Sequence, residues 1–209
     1  MNHFSQYSCA DFAAALAAKE SVPGGGGAAA MAGALSAALC SMVGHFTAGK
    51  KKYAAYEEDI LRILTEADAL RHCLLDLIDE DAEGFEPLAK AYAIPKDDPD
   101  RDTMMEQATL MACTAPMKML FICSDVMLLL EELLEKGSRL LLADVGCGTY
   151  LCKAAMECAA MSVFVNTGTL KNRELAAKMD QQVDMILHTY LPLADQITAS
   201  VTSSIRKER

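Results

Sequence analysis

Asp81 stands where a hydrophobe belongs. Leu74, Ile78, Phe85 and Leu88 recur at three- and four-residue steps, and position 81 falls on the same helical face. Asp79, Glu80 and Glu83 can point to water from their places on the helix; Asp81 is set toward the interior. A carboxylate placed there must be paired, hydrogen-bonded or protonated, because an isolated buried charge is too costly. Burial also perturbs its pKa, which suits a general acid or base. The alternative is a structural carboxylate that caps or bridges a neighbouring helix. Asp144, between "RLLLA" and "VGCG", is the second candidate. It is placed either to react or to act as an N-cap, its oxygen accepting orphan backbone N–H groups.

Two further features concern binding. Residues 21–40 read "SVPGGGGAAAMAGALSAALC", so Gly24, Gly25, Gly26 and Gly27 open a long small-residue helix. No Lys-Ser or Lys-Thr follows, as a Walker loop requires, and no strand precedes, as a dinucleotide fingerprint requires. A glycine run at a helix start still offers bare N–H groups to an anion, or bare backbone to a flat ligand. Its bland reading is a tight connection between crowded helices. The run "GKKKY" places Lys50, Lys51 and Lys52 together in an acidic chain. Such a cluster is either a solvated helix end or a local field for a carboxylate-bearing ligand.

The elements that must hold these residues are helices. Helical periodicity predicts segments over about 8–19, 27–47, 52–92, 101–136, 149–165 and 172–205. Gly49 and Gly137 stop two of them, Pro87 and Pro116 bend two others, and "LADVGCG" reads as a break. No alternating β-branched run with hairpin turns is present. The expected fold is all-α: a single domain over 1–209, a bundle of long helices around a buried small-residue helix. The last helix carries an apolar stripe through Val183, Ile186, Tyr190, Ile197 and Val201, long enough to serve a partner subunit as well as its own core.

Composition narrows the function. A net charge of −10 argues against nucleic-acid binding, which needs a basic face. The nearly uncharged stretch from Gly26 to Phe46 is long enough for a membrane span but weakly apolar, so a buried bundle helix is the expectation. The opening "MNHFSQYSCADFAAALAAKE" has neither a basic start nor a long apolar run, so a cytoplasmic protein is expected. None of the eight cysteines forms a pair with zinc-knuckle spacing, and no metal site is expected.

Three blocks carry a resemblance: "PGGGGAAAMAGALSAALCSMVGHFTAGKKKY", "LIDEDAEGFEPLAKAYAIPK" and "ADVGCGTYLCKAAMECAAMSVFVNT". In this order they resemble the cyclodeaminase domain of formiminotransferase-cyclodeaminase and its free-standing bacterial relatives, some of them methenyltetrahydrofolate cyclohydrolases. The resemblance implies a helical homodimer acting on a tetrahydrofolate derivative in polyglutamylated form, with no separate cofactor. It implies catalytic roles for Asp81 and Asp144, and substrate contacts from Gly24 to Gly27, Lys50 to Lys52 and Asn166. The first expectation is the cyclodeaminase reaction, 5-formiminotetrahydrofolate to 5,10-methenyltetrahydrofolate plus ammonia. The alternative is the cyclohydrolase reaction, 5,10-methenyltetrahydrofolate plus water to 10-formyltetrahydrofolate. A reading of another class is an inactive helical folate-binding or dimerisation module. Two places depart from the family pattern: Gly27 stands where a serine is usual, and "VNT" stands where an Asn-Leu ending is usual.

Overall fold

The structure, a computed structural model, describes residues 3–207. Its elements are α1 (Cys9–Leu16), α2 (Gly25–Thr47), α3 (Glu57–Tyr92), α4 (Arg101–Lys136), α5 (Leu142–Thr167) and α6 (Arg173–Lys207), with short 3-10 turns at Phe4–Gln6, Lys51–Tyr56 and Arg139–Leu141. No strand occurs among the described residues. Local chemistry sets several of the ends. Ser8 caps α1 by accepting from the Asp11 N–H at 3.1 Å. Gly49, at φ +71°, turns the chain after α2. Glu57, Glu58 and Asp59 put negative charge on the first turn of α3, where the helix dipole favours it.

α2, α3, α4 and α5 pack as a ring in that order, with α2 also meeting α4 across the middle. α6 closes on α4 and α5. Small residues let α2 occupy this crowded position. A Cβ on Gly33 would lie 3.0 Å from Cys123 Sγ and 3.1 Å from Leu74 Cδ2, and one on Gly44 would lie 2.8 Å from Leu64 Cδ2. Ser36, wholly buried on α2, donates to the Gly148 carbonyl of α5 at 2.8 Å. These contacts run α2 antiparallel to α3, Gly44 meeting Leu64 and Gly33 meeting Leu74. α2 and α4 are long and apolar enough to cross a membrane by length and composition, but 56% and 61% of those windows are buried in the bundle.

One expectation is corrected and another is narrowed. "LADVGCG" is not a break: it lies inside α5, which begins at Leu142. Its glycines serve close packing. A Cβ on Gly146 would lie 3.0 Å from Val201 Cγ1, and one on Gly148 would lie 2.9 Å from Leu130 Cδ2. Tertiary packing thus outweighs the poor helix propensity of glycine. The α6 stripe faces the chain's own core: Val183, Ala194, Ile197 and Val201 are buried there, Ile197 to 1% exposure. Its remaining members, Leu175, Met179, Leu187 and Tyr190, are only partly buried, and Ile205 is 40% exposed.

Candidate active site

Asp81 projects from α3 onto the first turn of α2. A Cβ on Gly26 would lie 2.5 Å from Asp81 Cγ and closer still to Oδ1, so the carboxyl rests on backbone that only glycine leaves bare. Burial pushes this carboxyl from 3.8 up to about 6, while a hydrogen bond from the Gly27 backbone pulls the other way. The group is half-buried, at the wall of a cleft of about 530 Å³. A carboxyl poised near neutrality can exist in both protonation states at physiological pH, as proton transfer requires.

The cleft lies where the start of α2, the middle of α3 and α4 and the end of α5 come together. Gly24, Gly25 and Gly26 form one side, and Asn166, Val165 and Met161 of α5 form another. Phe85 and Pro116 line it from α3 and α4. Asp81 is the one formally charged residue in the lining, which is otherwise mainly apolar. Such a slot suits a flat, largely apolar ligand offering few polar groups.

The glycines differ from one another. Gly26 is crowded by Asp81, whereas a Cβ on Gly25 would meet no atom within 4 Å and would face open cleft. A Cβ on Gly27 would make ordinary contacts, 3.5 Å to Pro23 and 3.8 Å to Ile78, so a methyl group fits there. Of the four, only Gly26 lacks room for a side chain within the chain.

Two expected partners lie elsewhere in the chain. Asp144 sits in the first turn of α5, without acting as its N-cap, which is Leu141. Asn166 ends the same helix, so the two are roughly 33 Å apart along its axis at about 1.5 Å per residue. The expected neighbourhood of Asp81 and Asp144 is thus not formed within one chain. Lys50, Lys51 and Lys52 are exposed at the far end of α2, about 35 Å from the glycines on the same measure. Asp144 and the lysines share that far end: the Arg139 N–H, just before α5, donates to the Tyr53 hydroxyl at 3.0 Å. Lys50 lies 6.0 Å from the centre of the Phe46 ring. Among the described residues no cluster of three or more His, Cys, Asp or Glu could hold a metal.

Sequence reasoning passed over Phe85, Pro116, Cys158, Met161 and Val165 as cleft residues. The available signal was weak: Cys158, Met161 and Val165 continue a three- and four-residue stripe on a helix that is apolar nearly all round.

A cleft at the junction of four helices, with one raised carboxyl resting on bare glycine backbone, is the candidate active site of this all-helical protein. The chain belongs to the formiminotransferase-cyclodeaminase family, whose family model matches residues 8–185. It is 34% identical over 194 residues to a methenyltetrahydrofolate cyclohydrolase of Methylorubrum extorquens, covering 91% of this chain and 93% of that one. It is 26% identical over 201 residues to the formimidoyltransferase-cyclodeaminase of Mus musculus, covering 94% of this chain but 37% of the mouse protein. The crystal structure of formiminotetrahydrofolate cyclodeaminase from Thermotoga maritima superposes with a TM-score of 0.83 at 26% identity, over 97% of each chain.

Proposed function

We propose that this protein is a folate one-carbon enzyme that makes or opens the N5,N10-methenyl bridge of tetrahydrofolate, with Asp81 as its proton-transfer group. The observation that carries this reading is the Asp81 carboxyl, raised to about 6 and seated on Gly26 at the wall of the apolar cleft. The glycine backbone and the apolar walls receive the pteridine; Asn166 supplies a polar contact at the edge.

Both candidate reactions need one proton taken and one given. In the cyclohydrolase reaction water adds to the methenyl carbon, Asp81 takes one of its two protons and passes it to N5 as the N5–carbon bond breaks, and the remaining hydroxyl proton leaves to solvent as the formyl carbonyl forms. The products are 10-formyltetrahydrofolate and a proton. In the cyclodeaminase reaction N10 attacks the formimino carbon, Asp81 takes the N10 proton, and the protonated nitrogen leaves as ammonia. The carboxylate also stabilises the positive charge of the methenyl bridge, in either direction. Neither scheme calls for a metal or a separate cofactor. The 34% likeness to a free-standing cyclohydrolase favours the first reaction. The likeness to the Thermotoga and mouse proteins keeps the second.

Parallel assays of the two substrates test this reading, since the methenyl form absorbs in the near ultraviolet. Loss of absorbance from methenyltetrahydrofolate reports hydrolysis; its appearance from 5-formiminotetrahydrofolate reports cyclodeamination. No turnover of either, with folate still bound, would leave the inactive binding module in place of an enzyme. The whole chain, 1–209, serves as one catalytic domain in this reading, as a cytoplasmic homodimer with polyglutamylated folate as substrate.

A further inference from the structure

Among the described residues, none that lines the cleft belongs to α6. Yet α6 grips the end of α5, from which Asn166 reaches the lining. Asn166 is the penultimate residue of α5. A helix leaves its last four carbonyls without intrahelical donors, and its end frays unless other groups take hold of it. Three side chains do so here. Arg173, the first residue of α6, donates through Nη1 to the Thr167 carbonyl at 2.8 Å and to the Leu170 carbonyl at 3.1 Å. A cation there also meets the negative end of the α5 dipole. Glu106 of α4 accepts from the Lys171 and Asn172 N–H groups at 2.7 and 2.9 Å. Asp180, two turns along α6 from Arg173, accepts from the Thr167 hydroxyl at 2.6 Å.

These contacts differ in what they fix. Glu106 and Arg173 bind backbone, so they secure the turn that joins α5 to α6. Asp180 binds a side chain of α5 itself. Thr167 is 1% exposed, and consecutive residues of a helix stand about 100° apart round its axis. The direction in which Thr167 is held therefore sets the direction of Asn166 beside it. Behind the cleft wall, Cys113 of α4 lies among the same groups. It is buried next to Ala112 and near Pro116, both of the lining. Burial and the nearby Asp180 charge push its thiol up to about 11, while the Asn166 side chain beside it pulls the other way. Asn166 is thus bounded by Cys113 on one side and by the cleft on the other.

We infer that Asp180 is a positioning residue: through the Thr167 hydroxyl it fixes the last turn of α5, so that the Asn166 amide is held toward the bound folate. Asp180 itself stands outside the lining and touches no substrate. A mainly apolar cleft offers a ligand few polar groups, so an amide turned out of place loses a contact that helps to orient the ring. The inference rests on the folate reading above, in which Asn166 meets the edge of the pteridine. It gives α6 a task beyond closing the core.

A double-mutant cycle on KM tests this. Asp180→Ala should raise KM about 3- to 10-fold, the worth of one neutral hydrogen bond, and leave kcat nearly unchanged. Asn166→Ala should raise KM by a similar factor, and adding Asp180→Ala to it should raise KM no further. Asp180→Asn keeps an oxygen to accept from Thr167 and should restore the wild-type KM. The fold should survive Asp180→Ala, because the Thr167 hydroxyl still has the Phe164 carbonyl at 3.3 Å and the turn keeps Glu106 and Arg173. Thr167→Val removes the same bond from the other side with little change of shape, and should reproduce the rise in KM even if Asp180→Ala fails to fold. Circular dichroism checks each variant. KM factors that multiply in the double variant, or a KM unchanged in a folded Asp180→Ala or Thr167→Val, would overturn the proposal and leave Asp180 a structural tie. A wild type that neither binds nor turns over folate overturns the function, and the positioning role with it. An active wild type with a multiplicative cycle overturns the positioning role alone.

Discussion

Replacing Asp81 by Asn should stabilise the protein and nearly abolish its activity. The fold raises this carboxyl from 3.8 to about 6. A raised acid means that the folded state prefers the protonated form, so its stability contribution is fully present below the unfolded pKa and is lost as pH rises through about 6. The gap corresponds to a ceiling of roughly 3 kcal/mol at about 1.36 kcal/mol per pKa unit. The carboxyl reaches the solvent of the cleft, so screening reduces this to about 1–2 kcal/mol. Asparagine keeps an oxygen to accept from Gly27 and removes the charge. At neutral pH the variant should melt about 2–8 °C above the wild type, given about 2–4 °C per kcal/mol in a chain of this size. Below about pH 3.8 the difference should close. Turnover should fall by about 10²–10⁴, the usual worth of general acid–base catalysis. Scanning calorimetry across pH, with the near-ultraviolet assay beside it, reads both effects. A variant less stable than the wild type at neutral pH, with activity intact, would show that Asp81 is a structural bridge and refute the reasoning.

The same carboxyl should govern the pH profile. If it acts as base in hydrolysis, kcat/KM should rise with pH through about 6 and then level, and the rise should vanish in Asp81→Asn. Gly26→Ala drives a methyl into the Asp81 carboxyl; it should cost about 10² in kcat, the scale of a small misplacement, with little change in melting temperature. Gly25→Ala meets no atom of the chain, so its fold should be untouched and its effect should appear in KM. Changing Lys50, Lys51 and Lys52 together to Ala should raise KM about 10-fold more for a polyglutamylated substrate than for the monoglutamate, an effect of about 1.4 kcal/mol; equal effects would place the lysines outside the tail's path. Ile197→Glu buries a charge in a core position that is 1% exposed, so it should unfold the chain, at a cost of about 4 kcal/mol or more, and circular dichroism would show the loss.

Helical spacing reveals Asp81 because period and burial are coupled: a polar residue on an apolar face is visible without any coordinates. The same spacing says nothing of which helix end meets which. Asp144 and the lysines read as site residues, although α2 runs its full length between the glycines and the lysines and α5 runs between Asp144 and Asn166. "VGCG" reads as a break because glycine is a poor helix former, whereas Val201 and Leu130 press against Gly146 and Gly148 and need them small. The α6 stripe looks the same whether it meets its own core or another chain.

Gly26 and Asp81 are each unfavourable when taken alone. Glycine inside a helix costs about 0.5–1 kcal/mol relative to alanine, and a carboxylate on an apolar face loses hydration. Each becomes intelligible only through the other, since the carboxyl occupies the space that a side chain at position 26 would fill. Stability is not served by either choice: alanine at 26 and a hydrophobe at 81 would make a better helix pair. Paired violations of local preference that meet at a cleft wall are the mark of a site held against the fold's own preferences. The buried small-residue helix therefore has two tasks along its length. Gly33 and Gly44 admit the side chains of α3 for packing; Gly26, at its first turn, admits a carboxyl for chemistry.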